Sequence, residues 1–469
     1  SRNSSRSPSA PGLHFGKGGM KATDASLTSA PRFERGRRAF VAISVALVAA
    51  VAACTERSPS GPDDSQLPTE PVTVTLQLDW DDFASNLQVY GGYAGPSQMT
   101  TTIVARSFGG MESRTLLRFA SFPTSATVRD SASGSLRPDT ALTFISAYVV
   151  VVFDTIASTN TGPVTLALGE TLEKWDEASA NWANAVDTVG GQRPWSQPGG
   201  GAVLPITTRE WEPSVGDSVA FFLDPAQIAR WKGAPDSIRS ARIDLLTDGH
   251  RLELGGAALR LVALSAADPD TTLILTVATT ARTFVYDPPA AAPANGLRVG
   301  GAPAWRSVVD VALPATLSGP PELCAAVGCP FALEPRNVTY AALGLRGRRP
   351  PDAYQPTDTI TFDVRAVLSR AALPKSPLGS SLVQQGGSRV PPEVFGALEG
   401  TMIDIPITAF VQGFLAGPDV AGRIPSNTLA ILSGPEPQSF TFGEFFGPGG
   451  PNAPVLKLIL TASPPLELR

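Results

Sequence analysis

The chain has 469 residues, with 37 basic and 42 acidic side chains, three cysteines and two histidines. Eight of the basic and two of the acidic residues precede Cys54, so the part from Cys54 onward carries 29 basic against 40 acidic groups, a net charge near −11. A surface this acidic repels phosphate backbones and argues against nucleic acid as a partner. About 415 residues from Cys54 on are more than one core usually supports, which implies two domains or more.

Residues 1–53 read as an N-terminal extension and an export signal. Met20 would make an ordinary start within it. Arg32, Arg35, Arg37 and Arg38 form a basic segment, followed by the apolar run Phe40–Ala53. At 14 residues the run falls short of the ~18 a membrane-spanning helix needs and suits a signal segment. Val51-Ala52-Ala53-Cys54 resembles the bacterial lipobox. That resemblance implies cleavage before Cys54 and acylation of it, with several chains at ~0.8 kcal/mol per buried methylene giving a stable membrane anchor. A plain signal peptide that happens to end near a cysteine is the alternative. Arg37-Arg38-Ala39-Phe40-Val41 resembles the twin-arginine export motif, with Gly36 where Ser or Thr is usual. Residues 54–71, rich in Ser, Pro, Gly and Asp, read as a disordered tether. Thr55, where an Asp would favour retention at an inner membrane, points mildly to an outer membrane or cell surface.

From Val72 onward short β-branched runs dominate, separated by Gly, Pro, Asp and Ser. They include Val72–Leu78, Thr115–Phe119, Ala147–Phe153, Val164–Leu168, Ser218–Leu223, Leu259–Leu264 and Leu273–Val277. This pattern predicts an all-β protein of sandwich or jelly-roll type. One short helix is predicted from Asp224-Pro225 through Trp231, ended by Gly233.

The segments recur in order. Arg114–Pro123 matches Arg306–Pro314, Ile145–Val151 matches Val338–Gly344, and Pro163–Leu168 matches Thr359–Val364. Leu204–Thr207 matches Ile405–Thr408, Ser218–Leu223 matches Asn427–Leu432, and Ala258–Ala263 matches Val455–Leu460. Six matches in one order predict an internal duplication, with tandem sandwich domains at 72–268 and 271–465.

At these segments the chain resembles the DNRLRE family of secreted β-sandwich domains. The first copy supplies the early strand Arg114–Phe119, the strand Ile145–Val151, the segment Trp175-Asp-Glu-Ala-Ser-Ala-Asn-Trp182, then Trp195 and Pro198-Gly199-Gly200. The second supplies Ile405–Gly417 but lacks the paired tryptophans and inserts a Pro- and Gly-rich stretch from Arg346 to Pro392. The first copy's Ile206–Trp211 segment is shortened. The resemblance implies a non-catalytic, jelly-roll-like module of extracellular and surface proteins, and fold alone confers no function.

Individual side chains suggest further chemistry. Exposed, Trp175, Trp182 and Trp195 could stack on sugar rings; buried, they would pin a long loop to the sandwich, each covering on the order of 200 Å². Asp79, Asp81 and Asp82 could serve calcium or form a solvated loop, and no Asp-x-Asp-x-Asp-Gly pattern accompanies them. Gly216-Asp217-Ser218-Val219 resembles the nucleophile block of GDS(L) esterases, but it opens a strand, and Asp248-Gly-His250 has the wrong spacing for the partner block. Cys324 and Cys329 read as a disulfide closing a small loop, worth roughly 2 kcal/mol in an oxidising compartment; a metal site would need further ligands, and His250 is the one histidine after Cys54. No cofactor and no catalytic residue is indicated. The expectation is a membrane-anchored structural, adhesive or ligand-binding lipoprotein, with a polysaccharide-binding accessory protein as alternative and a carboxylate-dependent glycan hydrolase as a third reading. Its partners would be the membrane, through the anchor, and a glycan or a cell-surface protein.

Overall fold

The computed structural model describes residues 71–463, apart from 236–237, 303, 384–387, 421, 423, 435 and 437–438. The export signal, Cys54 and nearly all of the tether therefore lie outside the described residues. The protein is all-β, and the seven runs named above all fall in strands. In chain order come β1 (Val72–Leu78), α1 (Trp80–Phe83), β2 (Ala84–Tyr90), β3 (Thr102–Phe108), β4 (Met111–Phe119), β5 (Ala126–Arg129) and β6 (Leu136–Asp139). Next are β7 (Leu142–Asp154), β8 (Val164–Thr171), β9 (Asn184–Thr188), β10 (Gly191–Pro194), β11 (Val203–Trp211) and β12 (Ser218–Leu223). The predicted helix follows as α2 (Pro225–Gly233), with Asp224 accepting the Gln227 amide as its N-cap.

β13 (Ser240–Leu245), β14 (His250–Ser265), β15 (Asp268–Val277) and β16 (Thr279–Asp287) complete the first sandwich. One sheet runs β12-β7-β14-β15 and the facing one β11-β8-β13-β4-β16, with β3 bridging β14 and β4. Alternate residues of each strand point inward, so Val149, Val151, Leu166, Leu168, Ile243 and Leu261 share one core closed by Trp211 and Trp231.

The second half contains β17 (Gly296–Gly300), β18 (Arg306–Val311), β19 (Thr316–Leu317), α3 (Pro321–Val327), β20 (Phe331–Ala332), β21 (Val338–Arg348) and β22 (Ile360–Val367). It continues with β23 (Leu378–Ser381), β24 (Ser388–Val390), β25 (Met402–Pro406), α4 (Thr408–Ala416), β26 (Thr428–Ser433), β27 (Phe442–Phe446) and β28 (Val455–Ala462). One sheet runs β25-β21-β28-β1 and the other β23-β22-β26-β18-β2. Leu343, Leu345, Phe362, Val364, Ile431 and Leu458 form its core.

The sheets do not follow the division at 268/271. β1 and β2, assigned from sequence to the first domain, pair with β28 and β18 of the second, while β15 and β16 pair with β14 and β4 of the first. Period-2 patterning fixes which face of a strand is buried but names no neighbour, so it could not show this. The predicted duplication also needs re-registering at two places. By its partners, β25 corresponds to β12, since β12 pairs with β7 and β25 with its match β21; β26 corresponds to β13, each lying between the equivalents of β4 and β8. The other four matches fall on strands with equivalent partners.

Cys324 and Cys329 are joined, with Cα atoms 5.0 Å apart. The bridge spans the end of α3, where Gly328 takes φ +81. Changing both cysteines to serine is expected to lower stability by about 2 kcal/mol through a looser unfolded chain. Urea denaturation of the oxidised protein and the variant checks this; equal midpoints would contradict it.

Candidate functional site

The tryptophans lie on the outside of the first sandwich, beneath their own loop. Trp175 and Trp195 are 4% and 6% exposed and pack with Leu116, Ala281 and Val285 of β4 and β16, while Trp182 is half-buried beside them. The Arg118 guanidinium covers the Trp175 ring at 4.4 Å, and Arg114 covers Trp182 at 5.0 Å. Trp195 Nε1 donates to the Asn181 carbonyl (2.8 Å). Gly199, at φ +83, sits so close that a Cβ there would stand 2.7 Å from Arg114 Nη1 and 2.8 Å from the Trp182 ring. The three indoles thus hold the 173–202 loop against the sheet: Trp175 and Trp195 are buried, and Arg114 covers one face of the half-buried Trp182.

Asp79, Asp81 and Asp82 flank or occupy α1 and face solvent. Among the described residues no group of three or more His, Cys, Asp or Glu side chains is placed to hold a metal ion. Ser218 opens β12 and is exposed, and Asp248 Oδ1 accepts from Arg106 Nε (2.8 Å). No helix among the described residues is long and apolar enough to cross a membrane.

The site that sequence reasoning missed lies where the two sandwiches meet. Met99, Ile103, Met111 and Phe284 of the first pack against Ala302, Trp305, Tyr354, Phe440 and Phe442 of the second. At the edge of this seam opens a cleft of about 150 Å³. Thr101, Asp154 and Glu253 line it from the first sandwich, and Asp358, Ser433 and Thr441 from the second. Gly300 and Gly301 contribute backbone at φ +85 and +73, where β17 turns back so that the Trp305 amide reaches the Gly300 carbonyl (2.8 Å). A larger and shallower depression of about 370 Å³ beside β2 is lined by Trp80, Asn86, Pro293 and Asn295 without any titratable side chain.

Glu253 is the unusual member of the cleft. Its side chain is 5% exposed, its Oε2 accepts from Thr101 Oγ1 (3.2 Å), and its Oε1 accepts no hydrogen bond among the described residues. Arg251 Nη2 lies 4.0 Å away, while Arg251 Nη1 donates across the seam to the Ala353 carbonyl (2.9 Å). Burial pushes the Glu253 carboxyl above its ordinary range; Arg251 and Thr101 oppose the rise, and Asp154 and Asp358 add to it. Burial likewise lowers Arg251, against the pull of Glu253.

The second sandwich carries a built-in comparison. Glu444 of β27 occupies the position equivalent to Glu253, since β27 pairs with β17 as the first half of β14 pairs with β3. Opposite Glu253 stand Ile103 and Asp154; opposite Glu444 stand Arg298 and Arg348. Arg298 and Arg348 approach Glu444 to 3.5 and 3.9 Å. The buried carboxyl is therefore flanked by two cross-strand guanidiniums in the second sandwich, whereas in the first it stands opposite a carboxylate and has Arg251 at 4.0 Å on its own strand. A strand reading Arg251-Leu-Glu-Leu254 looks like one apolar face and one wet face, and the seam that dries the polar face is not written locally.

No family model matches the sequence, and no curated protein matches it significantly. Among solved structures, the C-terminal domain of the AgI/II polypeptide BspA of Streptococcus agalactiae aligns at 8% identity over 84% of this chain and 92% of that one, with a TM-score of 0.12. A second structure titled BspA_C_WT aligns at 7% identity over 83% and 91%, with a TM-score of 0.11. Scores this low carry no argument about fold or function.

Proposed function

We propose that this chain is an extracytoplasmic lipoprotein, anchored through Cys54, whose two sandwiches form a non-catalytic ligand-binding or adhesive module with DNRLRE-like ancestry. The lipobox-like Val51–Cys54 supports the anchor, and the joined Cys324 and Cys329 fit an oxidising compartment. The observation that carries the binding reading is the seam cleft, with its hydroxyls, its carboxylates and an under-compensated Glu253. Threonine and serine hydroxyls beside carboxylates match a hydroxyl-rich ligand such as a sugar unit, because each ligand O–H can donate to a carboxylate. The polysaccharide reading therefore moves from the buried Trp175 and Trp195 and the half-buried Trp182 to the cleft.

A buried glutamate of raised pKa among further carboxylates also resembles the acid of a glycan hydrolase, which gives the runner-up. Both readings are tested with the full chain on a glycan array, followed by titration and a reducing-sugar assay. The expected result is saturable binding without turnover, weakened at least tenfold by Asp358→Asn or Thr441→Val. Turnover abolished by Glu253→Gln would replace binding by hydrolysis, and failure to bind any glycan would remove the glycan-binding reading.

A further inference from the structure

The main sheets of the two sandwiches match strand for strand, yet each sandwich is completed by an arch, two consecutive strands of which one joins each sheet, that stands in the wrong place in the chain. In the first, β15 lies on the outer edge of one sheet beside β14, and β16 on the outer edge of the other beside β4. In the second, β1 lies beside β28 and β2 beside β18, in the same two positions. The register agrees as well. Leu275 stands opposite Leu261, and Leu76 opposite Leu458; Leu261 and Leu458 are the equivalent residues of Ala258–Ala263 and Val455–Leu460. That alignment sets Val72-Thr-Val-Thr-Leu-Gln-Leu78 against Thr271-Thr-Leu-Ile-Leu-Thr-Val277, and the last residue of each is buried.

The chain thus reads as arch, body, arch, body, with each arch preceding one body and completing the other. We propose that the two sandwiches are copies of one unit that have exchanged their leading arches within a single chain, and that the edges of β28 and β18 form a groove that binds such an arch. Loop closure gives the physical reason. β15 follows β14 through a turn that leaves Ser265 opposite Asp268, so the second arch is captured by the nearer body at little entropic cost. The arch 72–90 must then cross to the far body, where Thr73 meets Thr461 at a separation of 388 residues. It does so because unfilled edges would leave Leu458, Leu460 and Val309 uncovered and a row of backbone groups unpaired. The groove accepts two strands joined by a short connection, one for each sheet edge, with apolar residues at alternate positions; this chain's own arch fills it at high effective concentration, and a second copy's arch has the same chemistry.

Two experiments on the full chain test this. Thr75→Cys with Ile459→Cys pairs residues that face each other across β1 and β28, and is expected to cross-link nearly completely within one chain. Thr75→Cys with Val262→Cys reports the unexchanged arrangement, because Val262 stands opposite Ile274, the equivalent of Thr75; it is expected to stay reduced, and cross-linking there would overturn the exchange. In the second experiment a protease site is placed between Gly91 and Gly95. After cutting, the released arch should co-elute with the body, and a fluorescent peptide of residues 71–91 should replace it in cut but not in uncut protein. Loss of the arch on cutting, or no uptake of the peptide, would overturn the groove.

Discussion

Replacing Trp231 by alanine is expected to cost about 3–5 kcal/mol of stability, in the range for a large aromatic removed from a core. Trp231 is fully buried on α2, and its ring centroid lies 5.7 Å from that of Phe119. Its Nε1 donates to Glu170 Oε1 (2.9 Å), a carboxylate that also receives Gln227 Nε2 and Arg230. Alanine would leave a cavity where α2 closes the first sandwich and would strip one donor from a buried acid. Trp231→Phe restores most of the volume without the N–H, so its loss should be smaller by 1 kcal/mol or more. Guanidinium denaturation followed by circular dichroism measures both. A loss below about 1 kcal/mol for the alanine variant would contradict the packing described.

The Arg251–Glu253 pair should show the second large effect, one that depends on pH. Arg251→Met removes the cation beside a buried carboxyl, and breaking such a pair from one side costs about 3–5 kcal/mol. Glu253 is already raised by burial, so the folded protein keeps that proton above the ordinary glutamate value of 4.5, where the unfolded chain gives it up. Stability contributed by this group therefore falls as pH rises from about 4.5 to the raised value and is level beyond it. Losing Arg251 raises Glu253 further and widens that window, so the penalty should be small at acid pH and largest near neutrality. Glu253→Gln should flatten its share of the slope, and the double variant should recover most of what Arg251→Met loses. Urea midpoints at several pH values read this out; a pH-independent loss in Arg251→Met would sink the account.

Sequence and structure agree where the signal is local. The β-branched run Ala147–Phe153 lies in β7, where burial alternates from residue to residue, and Asp224-Pro225 starts a helix where a cap and a helix-compatible proline coincide. α4 was hidden because Ile407 at its N-cap offers no side-chain acceptor, and Thr408–Ala416 reads equally well as a strand. The placement of β1 and β2 against β28 and β18 was hidden because β-pairing partners are chosen over hundreds of residues, by whichever edge is left open. The cleft was hidden for a related reason. Glu253 and Asp358 lie in different sandwiches, and neither Arg-Leu-Glu-Leu nor Thr-Asp-Thr differs locally from an ordinary solvated stretch. The tryptophans were legible as large side chains but not as buried ones, since Arg118 and Arg114 come from a strand about 60 residues earlier to cover them.

β1 enters the body antiparallel to β28, with Val72 opposite Ala462 and Leu78 opposite Leu456. On the proposed anchor, tension between a membrane and a captured ligand would reach the folded protein at Val72. A pull along β1 toward its N-terminal end loads the rungs of the ladder together, as shear, where a pull across the sheet would open them one at a time. Because β1 belongs to the second sandwich, that load passes into β28 before it reaches the first sandwich. The exchanged arch would then act as a mechanical splice, making both sandwiches bear the strain of adhesion as one.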